Sequence, residues 1–318
     1  MLVHISKKLS NKFKKFSIEK IEGGASKKKF YRLGHLNKKY ILTDFYSDKK
    51  EYRNNLIIYN LLKNINISVP KIIEKYDDNL MVISEDFGDL RFDKILQKYP
   101  LKDLLHYAVD TLIVLKNSIQ YDPQLSLAQY NFNIFKEEIF ELPKYYFPHI
   151  NLDDKNLNDE FIFIWSEAYK NIQFEFNTLV HKDFNINNLI LISNTKKHLK
   201  CGVIDFQNAF WGESSWDLFS LLEDSRVLFT DEFNEYFIKY FFSQTSQNTS
   251  IQDFLKKYYF LNSSRQTRLL GRWIKLSKEL KQDWYLDFIP VTLKRLRKSI
   301  KLINDKKLTD FYNRYIFK

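Results

Sequence analysis

The hydrophobic residues of the first third of the chain are grouped in short runs that glycine and polar turn residues separate, and this pattern predicts β-strands. The runs that show it are short and rich in aromatic and β-branched residues, and they cover 16–21, 28–33, 38–46, 71–76 and 80–85. After Asp48 the apolar residues recur every three or four positions, which predicts a helix, and Asp48 and Glu51 have the spacing of a capping box. The predicted order is three strands, one helix and two strands.

From about residue 92 onward the apolar spacing is three and four, which predicts a mainly helical region. The predicted helices cover 101–119, 133–147, 154–176, 214–225, 231–245, 262–281 and 285–304. Two short apolar runs, 189–193 and 200–206, interrupt this pattern and predict a small hairpin. We therefore expect an α+β protein with a small antiparallel-sheet lobe, residues 1–87, and a larger helical lobe, residues 88–318.

Composition narrows the class of protein. The chain has 318 residues, of which 44% are hydrophobic and 28% charged, as in a soluble protein with a sizeable core. Cys201 is the only cysteine, which excludes an intramolecular disulfide and a cysteine-based metal site. No apolar run approaches the ~20 residues that span a bilayer, and the lysine-rich start lacks the apolar core of a secretory signal. We expect a cytoplasmic protein without a membrane partner.

The net charge of +11 permits an anionic partner such as a nucleotide, a nucleic acid or a membrane surface. Lysine is abundant together with Asn, Ile, Phe and Tyr, however, as an A/T-rich coding sequence produces. Charge alone therefore does not select the partner, and specific residues must indicate the function.

The strongest chemical signal lies in the predicted hairpin and just before it. His181 and Asp183 are followed by Asn188, and Asp205 comes at the end of the second apolar run. Phosphoryl transfer needs a carboxylate that orients the attacking hydroxyl and hard oxygen ligands that hold Mg²⁺ on the phosphates. Asp183 suits the first requirement, and Asn188 and Asp205 suit the second. A hairpin reverses the chain, so it can bring residues that are distant in sequence together.

In these motifs the sequence resembles the protein-kinase-like phosphotransferases, specifically their aminoglycoside and choline kinase branch. Within that branch it is most similar to the bacterial N-acetylmuramate/N-acetylglucosamine anomeric kinases, sugar 1-kinases of cell-wall recycling. The motifs that carry the resemblance are GGASKKKFYRL (23–33), SEDFGD (84–89), VHKDFNINNLI (180–190), VIDFQNAFWG (203–212) and WDLFSLLED (216–224). The resemblance implies a bilobal protein-kinase-like fold and a kinase that uses ATP and Mg²⁺.

The resemblance also implies a role for each residue of the catalytic motif. Asp183 is the expected catalytic base, and His181 braces the catalytic loop. Asn188 and Asp205 are the expected metal ligands. Asp217 is the expected buried carboxylate that supports the loop backbone.

The nucleotide site that the resemblance implies has two parts. A phosphate-covering loop contains Gly23, Gly24 and Ser26, whose backbone N–H groups can approach phosphate oxygens because glycine has no Cβ. Glu85 and Asp86 belong to the expected hinge, which hydrogen-bonds adenine through its main chain.

One residue of the general kinase pattern is missing. Kinases usually carry a Lys on the third strand for the α- and β-phosphates, whereas Thr43 stands near that position here. We expect a neighbouring cation to replace it. The candidates are Lys27, Lys28, Lys29 and Arg32. Of these, Lys29 or Arg32 is favoured. Glu51 can pair with such a cation or cap its own helix, and without a strand lysine the cap is favoured.

Three functions are open at this point. The first is a kinase for the anomeric hydroxyl of N-acetylmuramate or N-acetylglucosamine, in which Arg265, Arg268 and Arg272 are candidates for an acceptor carboxylate. The second is a choline, ethanolamine or aminoglycoside kinase, whose cationic acceptor favours an acidic pocket. The third is a catalytically dead kinase fold that binds nucleotide or RNA. The basic cluster favours the amino sugar, and we expect a small-molecule partner and no nucleic acid.

Two residues depart from the sugar-kinase pattern. Asn185 and Asn208 stand where that group is expected to have His and Asp. The departure bears on sugar specificity more than on phosphoryl transfer. The sequence leaves the oligomeric state open.

Overall fold

The computed structural model describes residues 9–21, 28–152, 154–227, 229–245 and 249–317. The contacts divide the chain into two compact units. The first contains Met1–Ile119 and Ile186–Ala209, and the second contains Gln120–Asn185 and Phe210–Lys318. The lobe boundary at residue 87 stays a prediction.

The first unit is built around a five-stranded antiparallel sheet. Its strands are β1 (Ser17–Ile21), β2 (Lys29–His35), β3 (Lys38–Asp44), β4 (Ile72–Tyr76) and β5 (Met81–Glu85). Their order across the sheet is β1-β2-β3-β5-β4. The predicted order along the chain is confirmed, because helix α1 (Lys49–Asn64) lies between β3 and β4 in sequence.

One face of this sheet forms a hydrophobic core. Tyr31 pairs with Leu42, and Leu42 pairs with Ile83, so the three side chains share a face. All three are fully buried in a cluster that also contains Leu9 and Phe13. Because successive side chains of a strand point to opposite faces of the sheet, the neighbouring strand residues lie on the other face.

Helix α1 packs on that opposite face, where Tyr52 joins Val82 and Phe45 in a second buried cluster. The helix begins after Asp48, whose carboxylate accepts a hydrogen bond of 2.9 Å from the Glu51 N–H. The return bond of a capping box is not formed, since the Asp48 N–H donates to the Phe45 carbonyl at 3.0 Å. The predicted cap at Asp48 is therefore confirmed, and the capping role of Glu51 is wrong.

Four short strands follow: β6 (Thr178–Val180), β7 (Leu189–Leu191), β8 (Cys201–Val203) and β9 (Phe210–Gly212). In the first unit, β7 and β8 form the predicted antiparallel hairpin. In the second unit, β6 and β9 pair antiparallel. Sequence patterns did not predict this second pair, because both strands are buried on all positions and show no alternation.

The helices after residue 90 are α2 (Phe92–Ile95), α3 (Leu101–Ser118), α4 (Phe132–Ile139), α5 (Phe147–His149), α6 (Lys155–Lys170), α7 (Trp216–Leu222), α8 (Asp231–Gln244), α9 (Ile251–Leu280), α10 (Ile289–Ile303) and α11 (Lys306–Tyr315). The helix predicted over 133–147 is instead divided by a π-helical turn at Leu142–Tyr146. Helix α9 begins earlier than predicted, and α11 was not predicted. In the described part of the chain, no helix has the length and apolar character that crossing a membrane requires.

Helix α9 lies unusually close to the chain that follows α4. A Cβ atom at Gly271 would be 2.0 Å from the Glu141 carbonyl oxygen, so only glycine allows this approach. The close packing places the arginines of α9 beside the acidic residues of α4 and the segment after it.

Candidate active site

The hairpin of the first unit holds the two predicted metal ligands. Asn188 ends a 3₁₀ turn directly before β7. Asp205 is the second residue after the end of β8. Leu189 pairs with Val203, and the Ile204 N–H donates to the Asn188 carbonyl at 3.1 Å. The hairpin therefore brings these two positions close together, as the sequence predicts.

Asp205 occupies an unusual backbone conformation. Its φ of 65° lies in the left-handed region, where Asp is better tolerated than most residues other than glycine. A 3₁₀ turn, Phe206–Asn208, follows at once, and Gln207 donates to the Asp205 carboxylate at 3.1 Å. About a third of the Asp205 side chain is exposed (33%), so its carboxylate is accessible to a ligand.

A lysine directly before β2 also contacts Asp205. The Lys28 ammonium lies 2.7 Å from Asp205 Oδ1 and 3.8 Å from Glu51 Oε2. Lys28 itself is buried, with 6% of its surface exposed. A buried ammonium group requires such partners, because removing it from water without them is costly.

The two favoured cations of the sequence have other partners. Arg32 donates to Asp86 at 2.7 Å and to Asp89 at 2.8 Å. The hydrogen bond to Asp89 is the main cause that raises the pKa of the Arg32 guanidinium. The Lys29 ammonium lies 4.5 Å from the centre of the Tyr46 ring. Their assignment to the phosphates stays a prediction.

The residues predicted for the hinge lie at the end of β5. The Asp86 carboxylate accepts from the Gly88 N–H at 2.8 Å in addition to its bond with Arg32, which fixes the turn after the strand. The Glu85 N–H donates to the Lys71 carbonyl at 2.9 Å. Adenine recognition by this segment stays a prediction. The predicted phosphate-loop residues Gly23, Gly24 and Ser26, and the candidate cation Lys27, lie outside the described residues.

In the second unit, Asp217 supports the loop that follows β6. Its carboxylate accepts hydrogen bonds from the N–H groups of His181, at 2.6 Å, and Lys182, at 3.0 Å. Lys182 has a φ of 82°, so these bonds stabilise a left-handed turn of the backbone. Burial raises the pKa of Asp217 to about 7, although the two N–H donors act in the opposite direction.

Asp183 follows this turn, and its carbonyl accepts from the Asn185 side chain at 2.9 Å. Its carboxylate interacts electrostatically with the guanidinium groups of Arg265 and Arg268 on α9. The predicted base and two of the predicted substrate residues therefore belong to one electrostatic cluster of the second unit. His181 and Asp217 are linked to this cluster through the loop, because Asp217 accepts hydrogen bonds from the backbone N–H groups that directly precede Asp183.

The three arginines of α9 differ in their partners. Arg268 Nη1 lies 2.6 Å from Glu138 Oε1, and Arg272 pairs with Glu141. Arg265 is buried, and its Nη1 has no hydrogen-bond partner among the residues described. Burial is also the main cause that lowers the pKa of Arg265 to about 10. Arg268 also has an unused donor, Nε, so both arginines keep a nitrogen that the described residues leave without a hydrogen-bond partner.

The contact of Lys28 with Glu51 and Asp205 was not predicted from the sequence. Every second residue of an extended chain lies on the same face, and this places Lys28, Phe30 and Arg32 together. That face is the one that α1 covers, which is why Glu51 at the start of α1 approaches Lys28. The two-residue spacing of Lys28, Phe30 and Arg32 was the signal that the sequence offered. It is hard to recognise because Lys28 stands within a run of three lysines, 27–29.

These features define a class of protein, the kinase-like phosphotransferases, in which an antiparallel sheet precedes a mainly helical region that contains the H-x-D-x₄-N motif. The model of the phosphotransferase enzyme family matches residues 17–250. The chain belongs to this family, and it is a kinase.

Individual relatives agree with this assignment. The N-acetylmuramate/N-acetylglucosamine kinase of Pseudomonas aeruginosa is 21% identical over 286 residues, which cover 87% of this chain and 81% of the relative. The crystal structure of choline kinase LicA from Streptococcus pneumoniae is 16% identical with a TM-score of 0.65, covering 94% of this chain and 99% of that chain. ADP-bound aminoglycoside phosphotransferase APH(2'')-Ib is 17% identical with a TM-score of 0.59, covering 93% and 98%. The predicted family and its kinase-like α+β fold are confirmed.

Proposed function

We propose that the chain is an ATP- and Mg²⁺-dependent kinase that transfers the γ-phosphoryl group to the anomeric hydroxyl of N-acetylmuramate or N-acetylglucosamine. The observation that carries the proposal is the complete motif of Asp183, Asn188 and Asp205 in a member of this family. The relative from Pseudomonas aeruginosa is named for these two sugars, which supports the acceptor. A fold neighbour that binds ADP supports the nucleotide.

The chemistry of Asn188 and Asp205 suits Mg²⁺. Both offer hard oxygen atoms, and Mg²⁺ commonly takes one or two protein oxygens while waters and substrate phosphates complete its octahedron. Among the residues described, no group of three or more His, Cys, Asp or Glu could hold a metal by itself. When bound, the ion neutralises charge on the β- and γ-phosphates.

The chain's own residues account for the remaining chemistry. Asp183 orients the acceptor hydroxyl and accepts its proton as the new O–P bond forms and the bond to the ADP oxygen breaks. The products are a sugar 1-phosphate and ADP, and the proton passes from Asp183 to solvent. Asp217 fixes the backbone at His181 and Lys182, which positions Asp183. Catalysis therefore depends on positioning and on charge.

Unused guanidinium donors on α9 support an anionic or neutral acceptor. Arg265 and Arg268 both act on the Asp183 carboxylate. Carboxylates neutralise much of the positive charge of α9, since Arg268 pairs with Glu138 and Arg272 with Glu141. The lactyl carboxylate of N-acetylmuramate would accept hydrogen bonds from the unused donors of Arg265 and Arg268.

An ATP-consumption screen tests the proposal. The acceptors are N-acetylmuramate, N-acetylglucosamine, choline and an aminoglycoside, each with and without Mg²⁺. We expect turnover only with the amino sugars and only with Mg²⁺. Turnover with choline or the aminoglycoside alone would contradict the acceptor, and an absence of turnover with ADP binding intact would favour a nucleotide-binding protein.

A further inference from the structure

We propose that Lys28, directly before the second strand, contacts the α- and β-phosphates of the nucleotide in place of a lysine on the third strand, and that Glu51 holds it there. This inference rests on the proposed use of ATP but not on the identity of the acceptor. It assigns the phosphate contact to Lys28 instead of Lys29 or Arg32, the two cations that the sequence alone favours. It also assigns a positioning role to Glu51.

The sheet register explains how Lys28, next to β2, can take the place of a lysine on β3. Phe30 on β2 lies directly opposite Thr43 on β3. Lys28 is two residues before Phe30 and therefore belongs to the same face, diagonally next to Thr43. Diagonal neighbours of an antiparallel pair are separated by roughly 7–8 Å, a distance that long side chains can cross. A Lys28 side chain can thus bring its ammonium to the region that a lysine at position 43 would serve.

The partners of Lys28 are those of a phosphate-binding lysine. Its ammonium is 2.7 Å from Asp205, the predicted Mg²⁺ ligand, and 3.8 Å from Glu51 on α1. The lysine is 4% exposed at its side chain, whereas the Glu51 side chain is 27% and the Asp205 side chain 33% exposed. The two carboxylates are therefore more exposed than the ammonium, which they hold next to the predicted Mg²⁺ ligand.

The competing cations are less suitable. Arg32 lies on the same face, but its guanidinium already bonds to Asp86 and Asp89. Lys29 belongs to the other face of the strand, and its ammonium lies over the Tyr46 ring. Of Lys28, Lys29 and Arg32, the three candidate cations that the structure describes, only Lys28 contacts a predicted metal ligand.

Calorimetric titration with Mg²⁺-ADP and with adenosine tests the assignment directly. Lys28→Met should weaken ADP binding by about 10- to 150-fold, the range expected for one charge-assisted hydrogen bond. Adenosine, which has no phosphate, should bind as to the wild-type protein. Lys39→Met is the matched control, since it removes the same charge from an exposed position of the same sheet, and it should change neither affinity.

A second variant tests whether a lysine on the third strand can replace Lys28. In Lys28→Met/Thr43→Lys the ammonium returns to the third strand, and ADP affinity should recover at least in part. Glu51→Gln should weaken ADP binding by a smaller factor and should add little in the double variant with Lys28→Met, because both changes act through one ammonium.

The outcomes separate this inference from the proposed function. Wild-type ADP affinity in Lys28→Met, or a larger loss in Lys29→Met than in Lys28→Met, overturns the assignment. If Lys28→Met does not fold, Glu51→Gln decides, and unchanged ADP affinity in that variant overturns the assignment. Since no acceptor takes part in these titrations, a protein that binds ADP through Lys28 yet phosphorylates no sugar would retain this inference and lose the proposed function.

Discussion

Replacing Arg265 with Met should weaken the binding of N-acetylmuramate much more than that of N-acetylglucosamine. The two sugars differ in the lactyl ether, whose carboxylate N-acetylmuramate alone carries. Arg265 interacts electrostatically with Asp183, so it lies in the cluster that contains the proposed base. Its Nη1 has no partner among the residues described, and this donor is the one we expect the carboxylate to use.

The size of the effect follows from burial. Only 8% of Arg265 is exposed, so water competes weakly for the hydrogen bond. A hydrogen bond to a charged group contributes about 1.5–3 kcal/mol, which corresponds to a factor of about 10–150 in affinity. Arg272 already pairs with Glu141, so Met at that position should discriminate less between the two sugars.

The assay compares kcat/KM for both sugars in the same preparation of Arg265→Met. N-acetylglucosamine serves as the internal control, because any general damage to the fold lowers both values. Arg314→Met, a change at an exposed arginine of α11, is the matched control and should leave both values unchanged. Equal losses for the two sugars would refute the reasoning and would make Arg265 a structural residue.

Three further predictions concern the carboxylates. Asp183→Asn should lower kcat by about 10²–10⁴ with ADP affinity preserved, and wild-type kcat in steady-state assays would remove its role as base. Asp205→Asn should abolish turnover and the Mg²⁺-dependent part of the thermal stabilisation by ADP, because the ion loses its charged ligand; a retained Mg²⁺ dependence would contradict this. Asp217 has a folded-state pKa of about 7, above the value of ~3.9 in unfolded chains. Its contribution to stability is therefore complete below pH ~4 and is lost as the pH rises through about 7. Asp217→Asn should flatten this part of the pH dependence of the unfolding free energy in urea titrations, and an unchanged slope would contradict the assignment.

The fold was largely predictable because its elements have strong periodic patterns. The strands of the first unit alternate between a core face, represented by Tyr31 and Leu42, and a second face. The hairpin at β7 and β8 was predictable because a polar turn separates its apolar runs. By contrast, β6 and β9 are three residues each and fully buried, so neither length nor alternation marked them.

The side-chain partners of the site were less predictable, because they depend on elements far apart in sequence. Nothing local indicates that Lys28 meets Asp205, or that Arg268 meets Glu138. The second contact requires α9 to approach the residues after α4, which depends on the missing side chain at Gly271. The motif could predict which residues take part in phosphoryl transfer, but it could not predict which charges neutralise one another.

The most direct test of the central proposal is the identity of the product formed from N-acetylglucosamine, ATP and Mg²⁺. A phosphate on the anomeric oxygen blocks ring opening, and acid can break the anomeric C–O bond with assistance from the ring oxygen. We predict a sugar phosphate that gives no reaction in a reducing-end assay and that mild acid converts to free sugar and phosphate. A reducing sugar phosphate that survives the same acid would contradict phosphorylation of the anomeric hydroxyl.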